Sequence, residues 1–418
     1  MDKRIVILGA GTGGTLAANR LRRIRDDLEI VVVDQDDDHI YQPGLLFVPF
    51  GRADARTLVR SRPRQLTRGI TFRKGSAERV DFEGNQVYLT DGTSLTYDVL
   101  LIATGATLQT EETDGLTGPG WQERVFTFYD LPGAVALQSA LEGFTGGRLV
   151  VNVVDLPIKC PVAPLEFCFL ADWYFRRRGI RDQVTLTYAT PLDGAFTKPV
   201  AARTLSGLLE QKGVELITEF NTGSVDGAAG RLTSFDERTI DFDLAVVVPL
   251  HGGAGYIGNS PGLGDALDFV PTDPHTLQSR ARPNIFVIGD ASDLPASKAG
   301  SVAHFAGEVL VRNIGRFLDD QPLASDFDGH TNCFIESGDR KAMLIDFNYD
   351  TEPLPGRYPG RVGLPLLKES RLNHLGKRFF EYLYWHFLLP GRDLPGVTAR
   401  MPSSGKNSTP DSATTHIN

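Results

Sequence analysis

Residues 4–14 read RIVILGAGTGG. A short apolar run, Arg4 to Leu8, leads into Gly9-x-Gly11-x-x-Gly14, and a helical pattern through Ala17, Ala18 and Leu21 follows. A second apolar run, Glu29 to Val33, ends on Asp34, about 20 residues beyond the last glycine. Each part has a task in a strand–turn–helix unit. One glycine makes the tight turn, one lets backbone approach a pyrophosphate, and one lets helix pack on strand, while the carboxylate reaches a ribose hydroxyl. Gly9, Gly11, Gly14 and Asp34 are therefore candidate dinucleotide-binding residues, and the chain is constrained to an α/β fold.

Two later apolar runs end in turn motifs: Tyr97 to Ala103 runs into Thr104-Gly105, and Ile285 to Ile288 runs into Gly289-Asp290. Between them the pattern predicts strands at Leu149–Val154, Val184–Tyr188, Val214–Thr218 and Leu244–Pro249, a second βαβ unit. Where that unit would carry its own glycine turn, the chain reads Asp155-Leu156-Pro157-Ile158-Lys159-Cys160-Pro161. Proline removes backbone N–H groups, so this turn is poorly suited to phosphate and argues against a nicotinamide nucleotide here. It is suited to holding a thiol at a helix start, where the macrodipole favours thiolate. The helix that follows, with Leu165, Phe167, Cys168, Phe169, Leu170 and Trp173, is apolar nearly all round, and Cys168 reads as core.

The net charge of −9 argues against general nucleic-acid binding. Three cysteines, Cys160, Cys168 and Cys333, are too few for a disulfide framework, and no secretory signal precedes the first strand. No apolar run is long enough to span a bilayer, and the scattered histidines give no metal site. These features predict an intracellular body. Assembly with further copies of the chain is left open.

Beyond about 318, Cys333 stands in Thr331-Asn332-Cys333-Phe334-Ile335-Glu336. The segment Leu372 to Leu389 is dense in Phe, Tyr, Trp and Leu and is long enough for one helix of about five turns. The tail after Met401 predicts disorder.

The fingerprint, the Ala-Thr-Gly strand and the Gly-Asp strand together resemble the two-dinucleotide-domain flavoproteins of disulfide-reductase-like fold. The resemblance implies tandem Rossmann-like FAD/NAD(P)-binding domains and bound FAD. Thr104, Gly105, Gly289 and Asp290 are then cofactor residues, Asp290 bonding the ribityl chain and Lys298 lying near the flavin pyrimidine. With the Cys160 turn, the late Cys333 and the aromatic segment around Gly376-Lys377 added, the chain resembles a sulfide:quinone oxidoreductase. That resemblance implies sulfide as substrate, Cys160 and Cys333 as a redox pair relaying sulfur and electrons to the flavin, and Glu166 as the nearby acid. It implies a membrane quinone as acceptor, with Lys377 and Phe380 as quinone-pocket candidates. The C-terminal segment would be a membrane-associating helix that makes the protein peripheral on the cell inner membrane.

Many members carry a further cysteine in the stretch matching 125–132. This chain has none there, which implies non-covalent FAD. Type II NADH:quinone oxidoreductase, flavocytochrome c-type sulfide dehydrogenase and a non-catalytic thiol sensor remain as alternatives. The expected organisation is a first FAD-binding part at 1–110, a second Rossmann-like domain at 111–272, the rest of the FAD domain at 273–320, a C-terminal region at 321–401 and a disordered tail at 402–418.

Overall fold

A computed structural model of the protein describes residues 3–392 and 398–407. The strand Lys3–Leu8 (β1) is central in a five-stranded parallel sheet, with Val99–Ile102 and Ile285–Val287 on one side and Leu28–Asp34 and Ile70–Lys74 on the other. Its alternation divides two cores. Ile5 and Ile7 pack with Leu16, Ala17 and Leu21 of the helix Thr12–Ile24 (α1), while Val6 and Leu8 pack with Val80, Val87 and Leu89 of an antiparallel meander. A strand buried on both faces reads as an unbroken apolar run, which is why RIVIL carries no polar residue after Arg4.

A second five-stranded parallel sheet repeats this plan around Gly147–Val153 (β2), flanked by Leu244–Val248 and Val184–Ala189. Leu149, Val151 and Val153 face the helix Ala163–Arg178 (α2), whose Leu165, Phe167, Cys168, Phe169 and Phe175 are fully buried. Cys168 is core filling. The chain crosses between the sheets at Thr107–Leu108, which pairs antiparallel with the returning His251–Gly252. Tyr256, Ile257, Leu263 and Val270 then pack in the core of the first sheet. The return therefore lies near 251, not at the expected 272, because these apolar side chains close the face beside the meander.

After the helix Gly300–Leu318 (α3), which packs on α1, the hairpin Thr331–Gly338 (β3) and Lys341–Phe347 (β4) lies against α2. The helix Arg371–Leu383 (α4) covers that hairpin, with Ser370 Oγ accepting from Asn373 N–H at its start. The expected single C-terminal helix is interrupted: Tyr384–Leu388 widens into a π-helical turn that buries Tyr384, Trp385 and Leu388. The tail is also ordered further than expected. Residues 402–407 run beside Gly356–Tyr358, where Arg357 N–H donates to Gly405 O at 2.8 Å and Lys406 pairs with buried Asp346 at 2.5 Å. The rest of the expected disordered tail, 408–418, lies outside the described residues.

Candidate active site

At the end of β1, Gly9 has φ +98°, and a Cβ there would lie 2.4 Å from Ala103 O. A Cβ on Gly14 would lie 1.9 Å from Gly9 O. Gly11 differs: it precedes α1, meets open space, and no side chain caps the helix. The start of α3 repeats this arrangement, with Ala299 giving no cap and Gly300 facing open space. Uncapped N–H groups at two helix starts suit anionic and hydrogen-bonding groups. The Asp34 carboxylate accepts from Ala10 N–H at 2.6 Å and pairs with Arg62. Burial pushes its pKa up, and Arg62 opposes that shift.

Gly105, at φ +72°, also faces open space, and Thr104 Oγ1 lies 3.3 Å from the Tyr256 hydroxyl. Asp290 follows Gly289 (φ +73°); burial raises its pKa while Lys298 and Lys159 pull it back. Lys298 is not a free surface cation. Its ammonium donates to the Asp290 and Ser292 carbonyls at 2.9 and 2.8 Å and lies 3.7 Å from the Phe269 ring centroid. An uncapped helix start, a ribose-type carboxylate, an open Gly105 and a second helix start beside Gly289-Asp290 together make a cradle that FAD fits.

The second sheet delivers its cysteine to this cradle. Cys160 N–H donates to Lys298 O at 2.6 Å, so the turn after β2 is fastened to the residues just before α3. Tyr129 Oη donates to Cys160 O at 3.2 Å, and His251 N–H donates to Pro157 O at 3.1 Å. Cys160 takes the left-handed backbone (φ +48°), and α2 begins only at Ala163. Cys333 of β3 packs against the cores of both domains, and both cysteines are free thiols.

The expectation of a favoured thiolate is overturned. Burial pushes the Cys160 thiol up to about 12, the Glu166 charge adds to the shift, and Lys377 opposes it. Cys333 is raised too, first by burial and then by Cys160 and Glu166, so the two thiols share one electrostatic neighbourhood. Desolvation and a nearby anion outweigh a helix terminus that starts three residues away.

Glu166 is buried in the first turn of α2. It pairs with Lys377 of α4 and accepts from Glu336 N–H at 2.5 Å. Burial raises its pKa against the pull of Lys377. Lys377 also donates to Phe334 O at 3.2 Å and lies 5.3 Å from the Phe47 ring centroid.

Residues 3–151 match the pyridine nucleotide-disulphide oxidoreductase family. The mitochondrial sulfide:quinone oxidoreductase of Mus musculus is 25% identical over 397 residues, spanning 93% of this chain and 86% of its own. That of Dictyostelium discoideum is 28% identical with the same coverage. The X-ray structure of the sulfide:quinone oxidoreductase from Aquifex aeolicus shares the fold at a TM-score of 0.77 and 19% identity, covering 93% of this chain and 92% of that one. The chain is a homologue of the sulfide:quinone oxidoreductases.

The structure places the expected site residues other than Phe380 in two groups. Gly9, Gly11, Gly14, Asp34, Thr104, Gly105, Gly289, Asp290 and Lys298 stand at the strand ends and helix starts of the first domain, and Cys160, Cys333, Glu166 and Lys377 share one electrostatic neighbourhood. Phe380 stands apart, half-buried on α4 with its centroid 6.5 Å from Tyr384. Sequence reading missed Arg62 on Asp34, Lys159 near Asp290, and the Arg52–Glu336–His374 cluster behind Glu166. It also missed Tyr384, whose hydroxyl lies 2.7 Å from both Thr12 Oγ1 and His39 Nε2 and so ties the C-terminal segment to the fingerprint turn.

Proposed function

We propose that the chain is an FAD-dependent sulfide:quinone oxidoreductase. The observation that carries this reading is the fastening of the Cys160 turn to the FAD cradle, with Cys333, Glu166 and Lys377 in the same buried neighbourhood. Loss of two protons and two electrons from the free Cys160 and Cys333 thiols, with bound FAD as the acceptor, would join them in a sulfur–sulfur bridge; hydrosulfide attacks that bridge, leaving a persulfide on one cysteine and a thiolate on the other. The bridge re-forms one sulfur longer, releasing one proton and two electrons. FAD held at Gly9, Gly11, Gly14, Asp34 and Asp290 would supply the acceptor for the electron pair. Glu166, its pKa raised by burial, takes the proton, and Lys377 compensates the negative charge.

The quinone approaches beside α4, where Phe380 offers a ring and Lys377 keeps an N–H beyond those given to Glu166 and Phe334 O. Leu372, Leu375, Phe379 and Tyr382 form an exposed stripe on α4 at helical spacing, with exposed Arg371 and Arg378 beside it. Exposed Val362 adds to the apolar surface. This face rests on the inner membrane surface and gives access to a lipid quinone. No helix of the described residues is long and apolar enough to cross a membrane.

The test is anaerobic mixing of the FAD-loaded protein with sulfide, beside Cys160→Ala and Cys333→Ala. Wild type should lose its flavin absorbance and recover it with a short-chain quinone, while each variant slows by at least ~100-fold. Bleaching by NADH but not by sulfide would replace this reading with NADH:quinone reduction.

A further inference from the structure

Side chains from two distant segments close a ring on the fingerprint turn. Tyr384, buried in the π-helical turn after α4, has its hydroxyl 2.7 Å from Thr12 Oγ1 and 2.7 Å from His39 Nε2. His39, buried in the short strand Asp38–Ile40, places Nδ1 3.1 Å from Ala10 O. Ala10 and Thr12 are the two neighbours of Gly11. The ring therefore anchors the turn on both sides of the glycine that faces open space before α1.

Each polar hydrogen in the ring has one place. His39 is neutral at neutral pH, because burial pushes it down to about 4. A carbonyl can only accept, so Nδ1 carries the hydrogen and donates it to Ala10 O. Nε2 is then bare and accepts from the Tyr384 hydroxyl, whose oxygen accepts in turn from Thr12 Oγ1. All three hydrogens are committed, and the order runs from Thr12 through Tyr384 and His39 back to Ala10.

The same segment grips α1 further along. Asn19 Nδ2 donates to Leu389 O and Arg23 Nη2 to Pro390 O, each at 2.7 Å. Thr12, Asn19 and Arg23 are seven and four residues apart, which puts them on one face of the helix. Gly391 (φ +69°) passes so close that a Cβ there would lie 2.6 Å from Arg20 Cγ. Trp385 stands edge-on to His39, with ring centroids 5.4 Å apart. The helix whose uncapped start suits a pyrophosphate is thus held along one side by residues 384–391.

We propose that Tyr384 is a positioning residue for FAD: through Thr12 and His39 it fixes Ala10, Gly11 and Thr12 in the conformation that presents the first N–H groups of α1 to the pyrophosphate. A turn already ordered binds without the cost of ordering it. With phenylalanine at 384, the Thr12 hydroxyl and His39 Nε2 lose their shared partner, the turn relaxes, and FAD must order it again. The segment whose first half carries the exposed apolar stripe therefore takes part, through its second half, in holding the cofactor. The inference concerns FAD alone and goes beyond the sulfide and quinone chemistry.

The test is release of FAD from the holoenzyme after dilution, followed as the recovery of free-flavin fluorescence. Tyr384→Phe and Thr12→Val should each speed release about five- to tenfold, the worth of one buried hydrogen-bonded chain. The double variant Tyr384→Phe/Thr12→Val should be no faster than the faster single one, because both break the same chain. Thr12→Ser keeps the hydroxyl and should stay within about twofold of wild type. Release from Tyr384→Phe within about twofold of wild type, or losses that multiply in the double variant, would overturn the proposal and leave Tyr384 as packing. Should Tyr384→Phe not fold, equal release from Thr12→Ser and Thr12→Val overturns it as well. Release that follows the expected pattern in a holoenzyme that sulfide does not bleach would remove the proposed function and keep the ring.

Discussion

The two parallel sheets are built alike, and their central strands end in turns with opposite interiors. After β1 the backbone is stripped of side chains: Gly14 is pressed to 1.9 Å of Gly9 O by any added Cβ, while Gly11 opens onto empty space. After β2 the turn is filled. Ile158 and Val162 are buried, Cys160 occupies the left-handed region, and three hydrogen bonds through Cys160 and Pro157 tie it down. A parallel strand meeting a helix start makes a place for a ligand, and the side chains of the turn decide whether a phosphate or a thiol takes it.

The comparison breaks most severely at Gly14. Gly14→Val drives a branched side chain into the backbone of Gly9 and should abolish FAD retention, read as the flavin-to-protein absorbance ratio after gel filtration. The fold should fail with it. On the other turn, Glu166→Ala strands the Lys377 ammonium and should cost about 3–5 kcal/mol in denaturant unfolding. Glu166→Gln, which keeps the shape, should speed Cys160 alkylation at pH 8, because the carboxylate charge holds that thiol up.

A buried histidine beside the first turn gives the pH sign. His39, bonded to Ala10 O and the Tyr384 hydroxyl, is pushed down to about 4 by burial. The unfolded chain then binds the extra proton between pH 6.5 and 4, so stability falls as pH drops through that window, by roughly 3 kcal/mol in total. His39→Gln should lessen this slope in thermal melts taken from pH 7 to 4, with buried His251 and His304, each pushed down to about 3, carrying the remainder.

Gly11→Ala separates cofactor from fold. The added methyl meets no protein atom, so unfolding should shift by less than about 1 kcal/mol while FAD binds about tenfold more weakly by titration of the apoprotein. The smallest effect is expected from Pro161→Gly, about 0.5–1 kcal/mol through the unfolded chain, with no gain of nucleotide binding by calorimetry. Nucleotide binding by that variant would mean that a proline, and not the filled turn, divides the two domains.

The cofactor cradle was legible because its residues act close to one another in sequence. Gly9 through Gly14 perform their tasks within one turn, and Asp34 closes the next strand. The sulfur site was legible only as separate pieces. The Glu166–Lys377 pair joins α2 to α4, which also carries His374, and Glu336 and Arg52 come from two further places with no shared spacing to mark them. Acidity was the point at which the local argument failed. A helix terminus nearby suggests a lowered thiol pKa, but solvation depends on what else packs there, and Cys160 is pushed to about 12. The aromatic segment was read as one amphipathic helix. Its first half does expose Leu372, Leu375, Phe379 and Tyr382, but its second half turns inward onto Thr12 and His39.

What the sequence alone determined is where glycine is compulsory, where a thiol replaces a phosphate turn, and which strands are buried on both faces. These follow from backbone sterics and from side-chain alternation, which act over a few residues. Tertiary structure decided which cysteines share an environment, which carboxylate meets which lysine, and how strongly each proton is held. Those properties depend on desolvation and on charges brought together from distant segments, and they exist only once the chain has closed around them.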